Sequence, residues 1–256
     1  MNGATLELQR VAKHFQGVIA VDSVSLVARK GQVTGLIGPN GSGKTTTMNI
    51  ITGLYPADDG VVLLDGVDIS KFQPNRIAAF GVARTFQNIR LLPDGSVLEN
   101  VLLGAHRHQS ANLLDVLARL PRLAKSESEA RARCEQLLST VGISHLRDVM
   151  VGGLSYGDRR RVEIARALAT QPRLLLLDEP AAGMNFAEKA SLATLISDIR
   201  DLGITVMLIE HDIEFVSRVA NHIVVLNFGR EIAEGTPAVI RQMPSVIEAY
   251  LGLEDA

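Results

Sequence analysis

TLELQRV (5–11) and SVSLVA (23–28) alternate apolar with polar residues, the pattern of half-buried antiparallel strands. VTGLI (33–37) is apolar almost throughout, which predicts a strand covered on both faces and ending in a glycine loop. VVLLDGVDI (61–69) carries a hairpin turn signal at Asp65-Gly66, and VARTF (82–86) is a further short strand. From about residue 88 to 157 the period becomes helical, in VLENVLLGAHR, ANLLDVLARL and SESEARARCEQLLSTVGI. In the last of these Ala130, Cys134, Leu137, Leu138 and Val141 form a stripe. Ser126 and Glu129 fit a capping box at its start and Gly142 a stop at its end. LSYGDRRRVEIARAL (154–168) then places a Ser and a Gly before an amphipathic helix with Val162, Ala165, Leu168 and Ala169 on one face. After residue 170 strands and helices alternate: RLLLLDE, a helix near 187–202, ITVMLIE, DIEFVSRVA and HIVVLN. That alternation predicts a parallel sheet with crossover helices. The expected architecture is an α/β core holding an inserted, mostly helical lobe.

Composition narrows the picture only a little. A chain of 256 residues can bury a sizeable core, and a net charge of −2 gives no electrostatic reason to expect nucleic acid. One cysteine, Cys134, excludes an internal disulfide and suits a reducing compartment. MNGATLELQR lacks the charged-then-apolar layout of a signal peptide. No apolar run approaches the ~18 residues of a membrane span. A soluble, intracellular chain is expected.

The chemistry begins at GPNGSGKT (38–45), which matches G-x-x-x-x-G-K-[ST] between an apolar strand and the helical TTTMNIITGL. Gly41 and Gly43 let the backbone curl its N–H groups toward phosphates. Lys44 can reach the β- and γ-phosphates, and Thr45 can offer a hydroxyl to Mg²⁺. LLLLDEP (174–180) puts two acids at the end of a buried strand, the edge of a parallel sheet where phosphate ligands sit. Neighbouring strand residues face opposite sides, so Asp178 suits the metal shell and Glu179 the attacking water. His211 ends ITVMLIEH and reads either as a polar strand end or as a group aimed at the same phosphate. The other five histidines, His106 and His108 among them, are expected on the surface. Gln87, following VARTF, carries an amide able to touch Mg²⁺ or water. The turn at Ser155 and Gly157 is a second anion site, with an acid, Asp158, where the anion should sit.

Together these residues resemble the ATP-binding subunits of ABC transporters over nearly the whole chain. GPNGSGKT is similar to their Walker A motif, LLLLDE to Walker B, Gln87 to the Q-loop glutamine, AAGMN (181–185) to the D-loop and His211 to the switch histidine. LSYGD stands where that family usually has Leu-Ser-Gly-Gly-Gln, and Phe15 matches the aromatic that stacks on adenine. More narrowly, VARTFQNIRLLPDGSVLENV, LSYGDRRRVEIARAL, DEPAAGMN, IEHDI, AEGTP and VIEAYLG resemble the branched-chain amino acid importer subgroup, whose relatives handle urea or short amides. RRRVEIARAL and a GTP segment are also shared with lipopolysaccharide-exporting ATPases, whereas RTFQ and Tyr156 favour the importer. A DNA- or ribosome-directed ABC ATPase is the rival of another class. It calls for a tandem cassette, a long coiled coil or a basic surface, none of which the sequence carries.

The resemblance implies a P-loop NTPase core with an antiparallel β subdomain and an inserted α-helical subdomain: residues 1–87 and 158–256 for the core, 88–157 for the insert. It implies ATP and Mg²⁺ as cofactors. Phe15, Gly38, Pro39, Asn40, Gly41, Ser42, Gly43, Lys44, Thr45 and Thr46 would hold nucleotide, and Thr45, Gln87 and Asp178 the metal. Glu179, His211 and Gln87 would serve hydrolysis. Ser155 and Gly157 would cap the ATP of a second ATP-binding subunit docked head to tail. Permease subunits, with a groove near Gln87 for their cytoplasmic helix, and indirectly a substrate-binding protein complete the expected partners, at the cytoplasmic face of the inner membrane. Three departures stand out. Asp158 replaces glutamine; it serves either as a partner of the helix dipole, worth roughly 0.3–1 kcal/mol, or as a charge opposing closure, offset by Arg159, Arg160 or Arg161. The arginines are otherwise a solvated helix face with Arg159 and Glu163 spaced i,i+4. Asn185 and Phe186 stand where many relatives have Asp and Pro.

Overall fold

A computed structural model describes residues 2–105 and 121–251, so His106, His108 and the helical pattern at 111–120 lie outside the described residues. Two compact units result: Met1–Gln87 with Arg173–Ala256, and Asn88–Pro172.

The first unit contains two sheets. One is antiparallel, in the order β2-β1-β4-β5, from β1 (Leu6–Phe15), β2 (Val18–Ala28), β4 (Asp59–Leu64) and β5 (Val67–Asp68). The expected turn joins β4 to β5, with Asp65 and Gly66 both at positive φ (49° and 78°), as a type I′ turn requires. The other sheet has the order β10-β9-β3-β8-β7-β6. It is built from β3 (Val33–Ile37), β6 (Val82–Arg84), β7 (Leu174–Asp178), β8 (Thr205–Glu210), β9 (His222–Asn227) and β10 (Arg230–Gly235). All its pairings are parallel except β10 on β9. Every residue of β3, β7 and β8 is buried, which explains their unbroken apolar spelling: both faces are covered. β10 escaped the sequence pattern because REIAEG is an antiparallel edge strand only partly buried.

Helices α1 (Lys44–Ile51), α2 (Pro74–Ala79), α6 (Phe186–Asp201), α7 (Ile213–Val219), α8 (Pro237–Ile240) and α9 (Pro244–Leu251) complete this unit, and α3 (Val97–Ala105), α4 (Pro121–Thr140) and α5 (Tyr156–Ala169) belong to the second. The parallel registers decide where the chemistry gathers. Ile37 pairs with Glu210, Asp178 with Ile209, and Arg84 with Leu176. The carboxyl ends of β3, β6, β7 and β8 therefore form one edge, and four loops leave from it.

In the second unit α3, α4 and α5 pack on one another. The expected boundary at 157/158 falls inside α5, which runs unbroken and stays with its packing partners, so the structural boundary follows Pro172. Ser126 and Glu129 do not cap α4; the helix already starts at Pro121, a residue suited to the first helical position, and passes through them. Gly142 does end it, at φ 76°, with the Ile143 N–H bonded to the Leu138 carbonyl at 2.9 Å. The arginine triplet is likewise corrected: Arg160 is fully buried and pairs with the buried Glu163 at 2.6 Å, because α5 is enclosed on nearly every side.

α3 crosses α5 at Gly104, where a Cβ would lie 2.1 Å from the Arg166 carbonyl oxygen. Alanine is the better helix former by about 1 kcal/mol. A backbone oxygen cannot swing aside, however, so the helices would have to part. Gly104→Ala is expected to destabilise the protein by about 1–3 kcal/mol, read from denaturant melts.

Candidate functional site

The loop after β3 is shaped by glycines. Gly43 has φ 100°, and a Cβ there would sit 2.5 Å from the Ala20 carbonyl of β2, so no other residue fits. α1 then starts with no side-chain cap. Four other helices have one: α3 is closed by Ser96 and Glu99, α5 by Ser155, α6 by an Asn185–Glu188 capping box, and α7 by Asp212, while α2 and α8 open on a proline instead. The first internal bond of α1 runs from the Thr47 N–H to the Gly43 carbonyl, which leaves the N–H groups of Lys44, Thr45 and Thr46 pointing out of the first turn. Lys44 is buried, and its Nζ donates to the carbonyls of Gly38 and Pro39 at 2.7 and 2.8 Å. Burial holds its pKa below the ordinary lysine value, against the opposing charges of Glu179, Glu210 and Asp178. One ammonium thus sits inside the loop with three carboxylates around it. Phosphate oxygens are stronger acceptors than the two carbonyls and would take their place.

The two acids after β7 differ in their surroundings. Asp178 is buried and its Oδ2 accepts from Arg84 at 2.7 Å; that guanidinium also donates to Asn49 on α1. Glu179 is half-buried and adopts φ 43°, a conformation rare for a side-chain-bearing residue, and its N–H bonds the Ile209 carbonyl at 3.0 Å. Its carboxylate accepts from Gln87 Nε2 at 3.0 Å, so the structure brings these two expected site residues together. His211 follows β8 with an exposed imidazole, Nδ1 3.8 Å from the Glu210 carboxylate. Phe15 stands at the tip of the β1–β2 hairpin, 37 % exposed, with Tyr55 edge-on to its ring at 5.2 Å. The strand that follows the hairpin tip, β2, reaches the phosphate loop through the Ala20 carbonyl.

For a hard divalent cation the donors are suitable. Thr45 is exposed in the first turn of α1, and the second carboxylate oxygen of Asp178 stays out of the Arg84 pair. Among the described residues no cluster of three His, Cys, Asp or Glu could hold a metal alone. One carboxylate and a hydroxyl fit Mg²⁺ carried largely by substrate phosphates and water.

In the second unit Ser155 caps α5: its hydroxyl accepts from the Asp158 N–H at 3.1 Å and donates to the Asp158 carboxylate at 2.7 Å. Asp158 thus lies in the first turn of α5 and its carboxylate holds the hydroxyl of the Ser155 cap. Asn185 keeps the capping function that Asp would have, and Phe186 is 70 % exposed with Arg218 over its ring at 4.9 Å.

Sequence reasoning missed Arg84, Glu210 and Tyr250. Arg84 stood in plain view in VARTF, but nothing local says that it neutralises an acid 94 residues away. Tyr250, on α9, turns its enclosed hydroxyl toward the Gly38 peptide without a well-formed hydrogen bond, and burial pushes the phenol up. No helix among the described residues is long and apolar enough to cross a membrane.

Residues 21–182 match the family model described as ABC transporter, and residues 230–256 that described as Branched-chain amino acid ATP-binding cassette transporter. The high-affinity branched-chain amino acid transport ATP-binding protein BraF of Pseudomonas aeruginosa is 44 % identical over 98 % of this chain and 99 % of its own length. Its counterpart LivG of Escherichia coli is 40 % identical over the same shares. An ATP-binding cassette of an ABC transporter, solved in its ADP conformation, superimposes with a TM-score of 0.85 at 35 % identity, over 97 % of this chain and 99 % of that one. A nucleotide-free cassette gives 0.83 at 34 % identity, over 96 % and 98 %.

Proposed function

The chain belongs to the ABC transporter family of ATP-binding cassettes, and from that premise we propose that it is the ATP-hydrolysing motor subunit of an importer for branched-chain or related amino acids. The observation that carries the ATPase part is the edge shared by β3, β6, β7 and β8, where Lys44, Asp178, Glu179 with Gln87, and His211 leave neighbouring strand ends. The first-turn N–H groups of α1 and Lys44 hold the β- and γ-phosphates, and Phe15 stacks on the base. Glu179, steadied by Gln87, takes the proton of the attacking water; His211 donates to the γ-phosphate. Thr45, Asp178 and Gln87 would hold Mg²⁺, which when bound would supply neutralising charge to the phosphate oxygens.

Two partners are needed to turn this chemistry into transport. A second ATP-binding subunit, identical or paralogous, docks head to tail so that Ser155 and Gly157 cover the ATP on its partner. Permease subunits take up the motion at the cytoplasmic face of the membrane. Support for a permease surface comes from the second unit, where segments 92–97 and 147–152 are hydrogen-bonded together and Leu92, Val149 and Met150 are all more than 40 % exposed. Amino acids as cargo are supported by BraF and LivG, similar along nearly all of their length. The test is to purify the membrane complex that contains this chain, identify its subunits, and measure ATP-dependent uptake of leucine, isoleucine and valine in proteoliposomes with the captured binding protein. Permeases without a binding protein, or export of lipid, would overturn import.

Closure of the dimer must also contend with Asp158. The proton that Ser155 gives Asp158 is the one a γ-phosphate would need, so closure must break that 2.7 Å bond. Asp158→Gln is expected to close the dimer at lower ATP, seen by gel filtration across an ATP titration. It should also lower stability by roughly 0.3–1 kcal/mol through the lost helix-terminal charge. Unchanged ATP dependence would leave capping as the residue's whole role.

A further inference from the structure

β8 lies between β3 and β7, so its last residue, Glu210, emerges in the middle of the site edge. Its side chain is 1 % exposed, yet among the described residues no Lys or Arg forms an ion pair with it. Burying a carboxylate this way is costly, and a leucine or glutamine would be easier for the fold to hold. What the carboxylate does instead is accept backbone N–H groups from two loops. Oε1 takes the N–H of Ala181 at 2.8 Å, and Oε2 faces the N–H of His211 at 3.3 Å with the imidazole Nδ1 at 3.8 Å. The preceding residue, Ile209, accepts the N–H of Glu179 through its carbonyl. The end of β8 thus holds the chain on both sides of Pro180 and the base of the histidine loop. Burial pushes the Glu210 carboxyl above the ordinary carboxylate range, against the N–H groups of Ala181 and His211, and the group lies near Lys44, Glu179 and the enclosed hydroxyl of Tyr250.

We propose that Glu210 is a positioning residue for hydrolysis: one buried carboxylate ties the loop that follows Glu179 to the loop that carries His211, so that both keep a common register over the phosphate. A second role follows from the geometry. Ala181 begins the AAGMN turn, which ends in the Asn185 cap of α6, so a displacement of that turn reaches His211 through Glu210. Glu210 itself touches no substrate. The inference rests on the assignment of Glu179 and His211 to hydrolysis.

Glu210→Gln separates positioning from folding. The amide is isosteric, and its oxygen can still accept from Ala181. Its NH₂, however, would meet the His211 N–H donor to donor, and the charge beside Lys44 is gone. Steady-state hydrolysis by the full-length chain, thermal melts and binding of a fluorescent ATP analogue should be measured for wild type, Glu210→Gln, Glu210→Ala and Glu179→Gln. The expected result for Glu210→Gln is a kcat at least tenfold lower, a KM for ATP within threefold of wild type, and a melting temperature no lower than wild type. Glu210→Ala, which frees both loops, should lose at least as much kcat. A Glu210→Gln kcat within twofold of wild type overturns the inference. So does a parallel loss of kcat, nucleotide binding and melting temperature, the mark of a merely structural residue. An inactive Glu179→Gln beside a normal Glu210→Gln refutes only the role of Glu210; an active Glu179→Gln refutes the underlying assignment and this inference with it.

Discussion

Glu179→Gln is expected to bind ATP normally and to hydrolyse it at least 100-fold more slowly, accumulating as a closed dimer. A positioned general base is worth about 10²–10⁴ in rate. Several features of the site suit Glu179 to that role rather than to holding the fold. Its side chain is half-buried, not sealed, so water can reach it. Its carboxylate accepts from Gln87, an amide that loses little if the acceptor becomes neutral. The backbone at φ 43° is held by the Ile209 carbonyl and the Glu210–Ala181 bond, neither of which involves the Glu179 carboxylate. Phosphate binding is left to α1 and Lys44, whose hydrogen bonds do not involve Glu179. Binding and catalysis should therefore separate cleanly, and with them closure and reopening, because in the proposed dimer loss of the γ-phosphate would remove what joins the two subunits. The measurement is ATP turnover paired with gel filtration in ATP and in ADP. A variant that turns over ATP at the wild-type rate, or that stays monomeric in ATP, would return Glu179 to the status of an ordinary strand-end acid.

Much of this site could be read from the sequence because its parts are local. A glycine loop between a buried strand and a helix, or two acids closing an apolar run, needs only neighbouring residues to be recognised. β3, β7 and β8 spell out burial on both faces, so their carboxyl ends could be located to within about a residue. What stayed hidden depends on pairing across the sheet. Arg84 becomes the partner of Asp178 only because β6 lies beside β7 in the order β8-β7-β6. Glu210 was visible as one more polar letter before His211, but its link to Ala181 spans 29 residues and two loops. The arginines of α5 misled for a related reason. Helical spacing suggests an i,i+4 pair on a wet face, whereas Arg160 is fully buried and pairs with the i,i+3 partner Glu163. Asp158 shows the converse. Its spacing from Ser155 already allowed a cap, and the structure supplies the two bonds that make it one.

Lys44→Ala should fail at the step before Glu179 becomes relevant. The ammonium is the cation that the phosphate loop itself encloses, and its removal leaves α1 to bind several negative charges through N–H dipoles. Truncating one partner of a desolvated charge pair costs about 2–5 kcal/mol, so ATP affinity should fall roughly 30- to 5,000-fold. Hydrolysis should be undetectable at millimolar ATP, and no closed dimer should form. The fold should survive. Lys44 bonds two loop carbonyls, but its desolvation opposes those bonds, and Gly43 is fixed independently by its approach to Ala20. Arginine is no substitute: a planar five-donor fork cannot occupy a slot whose two acceptors converge on a single nitrogen at 2.7 and 2.8 Å. Lys44→Arg is thus expected to lose binding nearly as fully as Lys44→Ala, checked by equilibrium binding of a fluorescent ATP analogue alongside a melt. If arginine restored affinity, charge alone would be what the loop requires, and the geometry of Gly38 and Pro39 around Lys44 would have no part in selecting the residue.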